Sequence, residues 1–253
     1  MQRSELEQIL QNWLNPEQIK DYCPNGLQVE GKTDINRIVT GVTASQALID
    51  RAIAEKADAL LVHHGYFWKG ENGAITGMKY RRVRSLIEHG ISLFAYHLPL
   101  DVHPEFGNNV QLLELLGLSG IQPVPFVEPE GILMTGQLDA PESGKAFVQR
   151  TEGALGRPVV AAEVNDKAQQ IRTVAVCTGG GQGFIEHALA SGADLFITGE
   201  VSEQTIHVAR ECGIQFIAAG HHATERYGVK ALGEKLAAQY DLDVTFIDID
   251  NPA

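Results

Sequence analysis

Cysteine is scarce in this chain of 253 residues: Cys23, Cys177 and Cys212 are an odd number, far apart and without any CxxC spacing. Neither a disulfide framework nor a cysteine-based zinc site is implied. Long apolar runs are also missing, since no stretch approaches the ~18 consecutive apolar residues of a membrane helix. The early segment SELEQILQNWL has acidic residues between its apolar positions, unlike a secretory signal with its basic start and apolar run. A reducing cytoplasm is the expected home. Positive charge is in deficit too, with 20 basic against 32 acidic residues and a net charge of −12. Such a field repels polyphosphates and makes general nucleic-acid binding unlikely. The local exception is Lys79-Tyr80-Arg81-Arg82-Val83-Arg84, a charge run read as a solvated helix face ahead of a phosphate contact. No GxSxG elbow is present, and no cysteine is placed as an obvious nucleophile.

What is present is an ordinary globular balance, 44% hydrophobic and 21% charged, which argues against disorder. Apolar runs of strand length alternate with amphipathic stretches of helix length, the pattern of an α/β fold with largely parallel sheets. Strands are expected near 37–42, 58–62, 91–96, 171–177, 194–198, 214–219 and 243–248. Helices are expected near 5–14, 45–56, 79–89, 108–116, 182–191, 202–212 and 223–239.

Two parts of the chain share one script. Residues 37–63, RIVTGVTASQALIDRAIAEKADALLVH, and 172–198, RTVAVCTGGGQGFIEHALASGADLFIT, both run strand, small-residue turn, helix, Ala-Asp, strand. The script continues in HGISLFA at 89–95 and CGIQFIA at 212–218, a helix end, a glycine cap and a buried strand. Two similar α/β halves, 1–120 and 121–253, are the economical expectation. The first copy carries an extra loop, YFWKGENGAITGMKYRRVR, of the kind that shapes a site. IQPVPFVEPEG suits an exposed linker near 120–131. Beyond it GILMTGQLD, ESGKAFVQRTEGALG and RPVVAAEV read as strand, helix and strand. The last strand, DVTFIDID, fits either sheet.

In parallel α/β sheets functional groups gather beyond the carboxyl ends of strands. There the chain places His63-His64-Gly65, then His97-Leu98-Pro99-Leu100-Asp101, Gly199-Glu200, and Gly220-His221-His222-Ala223-Thr224-Glu225. Successive strand residues point to opposite faces, but where the strand ends both His63 and His64 can flank one cavity. His221 and Glu225, at i and i+4, share a helical face, and His222 with Glu225 at i and i+3 is the alternative. Taken singly, each feature has a bland reading: solvated strand or helix ends for the histidines, a turn cap for Asp101. Their coincidence at strand ends of two pseudo-repeats favours metal. Nitrogen and oxygen donors without thiolate suit Zn, Fe or Mn. Five donors exceed one catalytic zinc, whereas two divalent ions sharing them would each keep room for water. Thr178-Gly179-Gly180-Gly181-Gln182-Gly183 opens a helix after a strand but matches no nucleotide fingerprint, and reads as a tight turn ahead of a phosphate cradle.

At HHGYFWKG, HLPLD and GHHATE, joined with the early PNGLQVEG, the chain strongly resembles the Nif-three-like dinuclear-metal family, whose members are often named GTP cyclohydrolase I type 2 or its homologs. The likeness spans essentially the whole chain. It implies two similar α/β domains, a dinuclear metal centre and a toroidal homohexamer. By position it implies metal ligands at His63, His64, Asp101, His221 and Glu225: His64 and Asp101 on one ion, His63 and His221 on the other, Glu225 bridging. Many relatives resemble HTxLD where this chain has Leu98, and carry an aromatic and a histidine where it reads TGEVSEQ, which bears on the substrate.

The expected function is a metal-dependent hydrolase, with activated water attacking a polarised carbon such as C8 of a purine ring. His97 is the candidate proton shuttle, because an unperturbed imidazole titrates near ~6.5; a strand-end histidine hydrogen-bonded to a ligand is the alternative. The small-molecule substrate, a purine nucleotide, comes from the family name. A two-metal phosphoesterase is the rival enzyme, and a non-enzymatic hexameric scaffold or adaptor with structural metals the rival class.

Overall fold

A computed structural model describes residues 1–162 and 170–253. The end of the expected strand RPVVAAEV, at 163 and 164, lies outside the described residues. By compactness the chain divides into a first unit, Met1–Leu100 with Gly228–Asp250, and a second, Asp101–Tyr227 with Asn251–Ala253.

The chain runs α1 (Arg3–Leu14), β1 (Gly26–Val29), β2 (Arg37–Thr43), α2 (Gln46–Ala54), β3 (Ala59–His64), α3 (Gly77–His89) and β4 (Ser92–Ala95). A helical turn, α4 (Leu98–Asp101), leads on to α5 (Asn108–Leu115), β5 (Ser119–Pro123), β6 (Met134–Ser143), α6 (Gly144–Leu155), β7 (Val160–Ala162) and β8 (Gln170–Cys177). Next come α7 (Ile185–Ala190), β9 (Leu195–Thr198), α8 (Glu203–Cys212), β10 (Gln215–Ala218), the turn α9 (His221–Thr224), α10 (Arg226–Gln239) and β11 (Asp243–Phe246). Local chemistry sets these limits. Ser45 caps α2 by accepting from Leu48 N at 3.2 Å. Gly90, at φ 64°, ends α3 in the left-handed region that glycine enters without strain.

The first unit's sheet has the order β1-β4-β3-β2-β11. All its pairings are parallel except β1 against β4. Ala59, Leu60, Leu61 and Val62 are buried on both faces, as a strand covered by helices requires. The last strand takes this sheet, with Val244 opposite Ile38. Among the described residues the second unit's sheet has the order β5-β6-β8-β9-β10-β7. Its β8, β9 and β10 are parallel, and its flanking pairings are antiparallel. Phe147, Val174, Leu195 and Ile217 lie in its core. The segment expected as a linker near 120–131 begins inside β5, where Gln122 pairs with Thr135. No helix among the described residues is long and apolar enough to cross a membrane.

The repeat extends further than the sequence script. Orders β1-β4-β3-β2 and β7-β10-β9-β8 correspond strand for strand, down to an antiparallel edge strand that precedes each copy. The repeated Ala-Asp pairs have one structural job. Asp58 Oδ2 accepts from Asn36 N and Arg37 N at 3.0 and 3.1 Å, and Asp194 Oδ2 accepts from Arg172 N and Thr173 N at 2.9 and 2.8 Å. Each carboxylate thus ties the start of one parallel strand to the turn before the next. Removing a charged acceptor from two backbone donors costs about 1–3 kcal/mol, so Asp58→Ala and Asp194→Ala should each lower the urea midpoint by that equivalent. Burial works against the Asp58 carboxylate, but the Arg37 and Asn36 amides and the Lys32 ammonium prevail and lower its pKa below 3.8. Its contribution is therefore present above pH 3.8 and lost as pH falls through the folded-state value. The Asp58→Ala deficit should be full at neutral pH and shrink in acid; a deficit independent of pH would assign the loss to packing.

Candidate metal centre

In the first unit β3 delivers His63 and His64 at its carboxyl end, with ring centroids 4.5 Å apart. His63 is fully buried, and its Nδ1–H donates to Tyr96 O at 3.0 Å, a carbonyl that can only accept. His64 Nδ1 meets the Thr43 hydroxyl at 3.1 Å, Thr43 being its register partner on β2. In both rings Nδ1 is occupied by a positioning contact, so Nε2 is the nitrogen that could coordinate a metal. His97, beyond β4, has its Nδ1 2.7 Å from Asp21 Oδ1. Ring nitrogens of His63, His64 and His97 lie within 4.8 Å of one another.

The segment PNGLQVEG braces this end of the sheet. Asn25 Oδ1 accepts from His97 N at 2.7 Å, and Gln28 Oε1 accepts from Tyr66 N at 2.7 Å. Gly65 is required because a Cβ there would overlap the Gln28 amide and Ala95. The extra loop is held to the sheet by Tyr66, whose hydroxyl donates to Ala44 O at 2.7 Å. Lys79 is not a solvated member of the basic run. It is buried, pairs with Glu71 at 2.8 Å, donates to Asn72 O at 2.7 Å and lies 5.5 Å from the Phe67 ring centre. Phe67 itself has φ 65°, a strained value for a bulky residue, sustained by that packing. The next residue, Trp68, sets its ring edge-to-face with His97 at 4.9 Å.

In the second unit Asp101 and Glu225 are 5% and 3% exposed, and carboxylate oxygens of the two lie within 4.8 Å. Asn108 Nδ2 donates to Asp101 Oδ1 at 2.8 Å, and the Thr178 hydroxyl lies 3.5 Å from the same oxygen. His221 Nε2 is 3.3 Å from Glu225 Oε2, while its Nδ1 is 2.7 Å from Glu200 Oε1. The i, i+4 pairing therefore falls to His221. It is made by a single helical turn: α9 stops at Thr224, Glu225 has φ −109°, and the long helix expected from 223 starts at Arg226. The hydrogen bond to Glu225, against the opposing effect of burial and with help from Glu200, pushes the His221 pKa up to about 9. In the second copy the glycine turn folds inward, with Gly179 N donating to Thr224 Oγ1 at 3.0 Å and Gly179 O accepting from Gly199 N at 2.9 Å. A Cβ at Gly179, φ 63°, would overlap Glu225 Oε1, so this turn is the floor on which Glu225 rests.

The donor chemistry fits divalent metal. Two buried carboxylates this close repel each other unless positive charge sits beside them, and in the metal-free protein a protonated His221 supplies part of it. Soft thiolate ligation is disfavoured. Burial, reinforced by Asp101 and Glu225, pushes the Cys177 thiol far up, and burial with Asp21 pushes Cys23 up to about 12. The sequence pointed to His63, His64, Asp101, His221, Glu225 and His97 as candidates and to Glu200 as a strand-end polar group. It missed Asp21, Asn25, Thr43 and Thr178, which contact those residues. PNGLQVEG carried a signal for Asn25 alone.

The family model Duf34/NIF3 (NGG1p interacting factor 3) matches residues 1–252. Proteins named GTP cyclohydrolase 1 type 2 homolog from Yersinia pestis and Escherichia coli are 57% and 54% identical, each aligned over the full length of both chains. Among solved structures, the protein ybgI, described as of unknown function, is 53% identical with a TM-score of 0.94. TTHA1606 from Thermus thermophilus is 34% identical with a TM-score of 0.90. Both cover the whole of this chain and are covered by it. With a full-length family match, relatives above half identity and the same fold, the chain belongs to the Duf34/NIF3 family.

Proposed function

We propose that His63, His64, Asp101, His221 and Glu225 bind two divalent metal ions and that the chain is a hydrolase acting on a purine nucleotide or a related ring. The observation that carries this reading is the buried Asp101 and Glu225 pair with His221 beside it, two carboxyl groups and an imidazole whose oxygen and nitrogen donors suit a divalent cation. A pair of such ions supplies Lewis-acid polarisation of the substrate and brings the pKa of water near ~7. The chain's own contributions are the Nδ1 contacts of His63, His64 and His221, which fix the donor nitrogens, and His97, which exchanges the proton. Trp68 and Tyr22, with ring centres 4.9 and 6.2 Å from that of His97, offer a wall for a planar ring. GTP is the first substrate to try, given the relatives' name.

The chain is further read as a cytoplasmic protein and a homohexamer. Met78, Tyr80 and Ile87 on α3 expose apolar surface suited to contact between subunits.

Elemental analysis of untagged protein, then product analysis with GTP and the identified metal, tests the reading. Two ions per chain and released formate are expected, since ring opening at C8 liberates it. Inorganic phosphate in place of formate would move the assignment to a two-metal phosphoesterase. Metal without turnover of any nucleotide, with chelation dissolving the oligomer, would favour a metal-stabilised scaffold.

A further inference from the structure

We propose that Asp21 is the positioning residue for His97, holding its ring in the tautomer that carries the proton on Nδ1 and leaves Nε2 to exchange one. This rests on the reading of His97 as the proton-transfer group, but the tautomer itself stands independently of any activity.

Asp21 lies in the loop before β1, and its side chain is 2% exposed. Each carboxylate oxygen serves two donors: Oδ1 faces His97 Nδ1 at 2.7 Å and Tyr22 N at 2.5 Å, Oδ2 faces Asn25 Nδ2 and Leu98 N, each at 2.9 Å. An ionised carboxylate only accepts, so Nδ1 must be the protonated nitrogen. Burial opposes the charge on Asp21, yet these hydrogen bonds, His97 foremost, lower its pKa and keep it ionised. His97 is also pinned from other sides. Its backbone N donates to Asn25 Oδ1, the Trp68 ring abuts it, and Lys69 N donates to Tyr22 O at 2.6 Å, joining the Trp68 loop to the Asp21 loop.

At Nδ1, His63 meets a carbonyl and His64 a hydroxyl. His97 is held by a buried carboxylate, which fixes the ring's orientation and tautomer, as in the Asp-His pairs of hydrolytic triads. A purely architectural Asp21 would need only to brace its loop, and an amide could share that work.

Asparagine at position 21 separates the two roles. The Oδ2 side must keep accepting from Leu98 N and from Asn25, whose amide is oriented by its bond from His97 N. The new NH2 therefore faces His97, giving up the one bond from Tyr22 N in place of the two on the Oδ2 side, and demands an unprotonated Nδ1. Long-range 1H–15N correlation on metal-free protein with labelled histidine reads this directly, the His97 signal being the one lost in His97→Gln. Wild type is expected as the Nδ1–H form and Asp21→Asn as the Nε2–H form. With a working assay, Asp21→Asn should lower kcat at least about 100-fold while KM and metal content stay within twofold. An Nε2–H ring in wild type, or an unchanged tautomer in folded Asp21→Asn, overturns the proposal. Should the variant not fold, the wild-type tautomer still decides. Should no substrate turn over, the hydrolase reading fails while the tautomer still judges Asp21.

Discussion

Glu225→Ala should strip the protein of metal, leaving well under half of the wild-type content after purification and lowering zinc affinity more than 100-fold, beyond the ~10–100-fold typical of groups that only orient a ligand. Glu225 is buried, resting on the Gly179 turn, beside Asp101 and 3.3 Å from His221 Nε2. The matched control is Glu200→Gln. Glu200 meets His221 at the far nitrogen, accepts besides from Gln182 Nε2 and is about half exposed, so its loss should fall within the milder range. Stability sharpens the distinction. Removing Glu225 takes from His221 the partner that raises its pKa to about 9, so metal-free Glu225→Ala should melt below metal-free wild type at neutral pH. Adding zinc should raise the melting temperature of wild type alone, since a ligand stabilises only the state that binds it. A variant that loses stability without metal yet still binds it would make Glu225 a structural residue and remove the basis of the proposed function.

The core strands of each sheet and the polar residues proposed as donors were legible in the sequence for the same reason. Parallel strands covered on both faces are written as uninterrupted apolar runs such as Ala59-Leu60-Leu61-Val62, and the polar residues just beyond each run stand at the carboxyl edge. Edge strands carry no such mark. Gly26–Val29 and Ser119–Pro123 are short, and each has a single partner strand among the described residues, so glycine, proline and polar residues there read as loop or linker. The fate of the last strand depended on backbone pairing to β2, which no side chain of DVTFIDID announces. Residues that hold the donors were hidden by sequence distance: Asp21 is 76 positions from His97, and Thr43 is 21 from His64. Glycines 65 and 179 became meaningful only once the Gln28 and Glu225 side chains were seen against their backbones.

His97→Ala should lower turnover about 10²- to 10⁴-fold, the range a positioned acid or base contributes, with metal content unchanged. The prediction is exposed, because ring nitrogens of His97, His63 and His64 lie within 4.8 Å of one another and proximity alone would admit His97 as a ligand. Two features weigh against that. His97 Nδ1 is committed to a buried carboxylate, and Trp68 stands edge-on to the ring at 4.9 Å, where a planar substrate would meet it. A ligand histidine, once removed, costs metal first and activity as a consequence, so adding excess zinc would restore part of the rate. A proton-exchanging histidine costs kcat with the ions still in place, and excess zinc restores nothing. Trp68→Ala supplies the complementary result: loss of a stacking wall should raise KM by roughly tenfold, in line with the ~1–3 kcal/mol of an aromatic–base contact, while kcat changes much less. If His97→Ala loses an ion and zinc rescues it, His97 joins the coordination shell, and the proton must travel by another group in the same cluster.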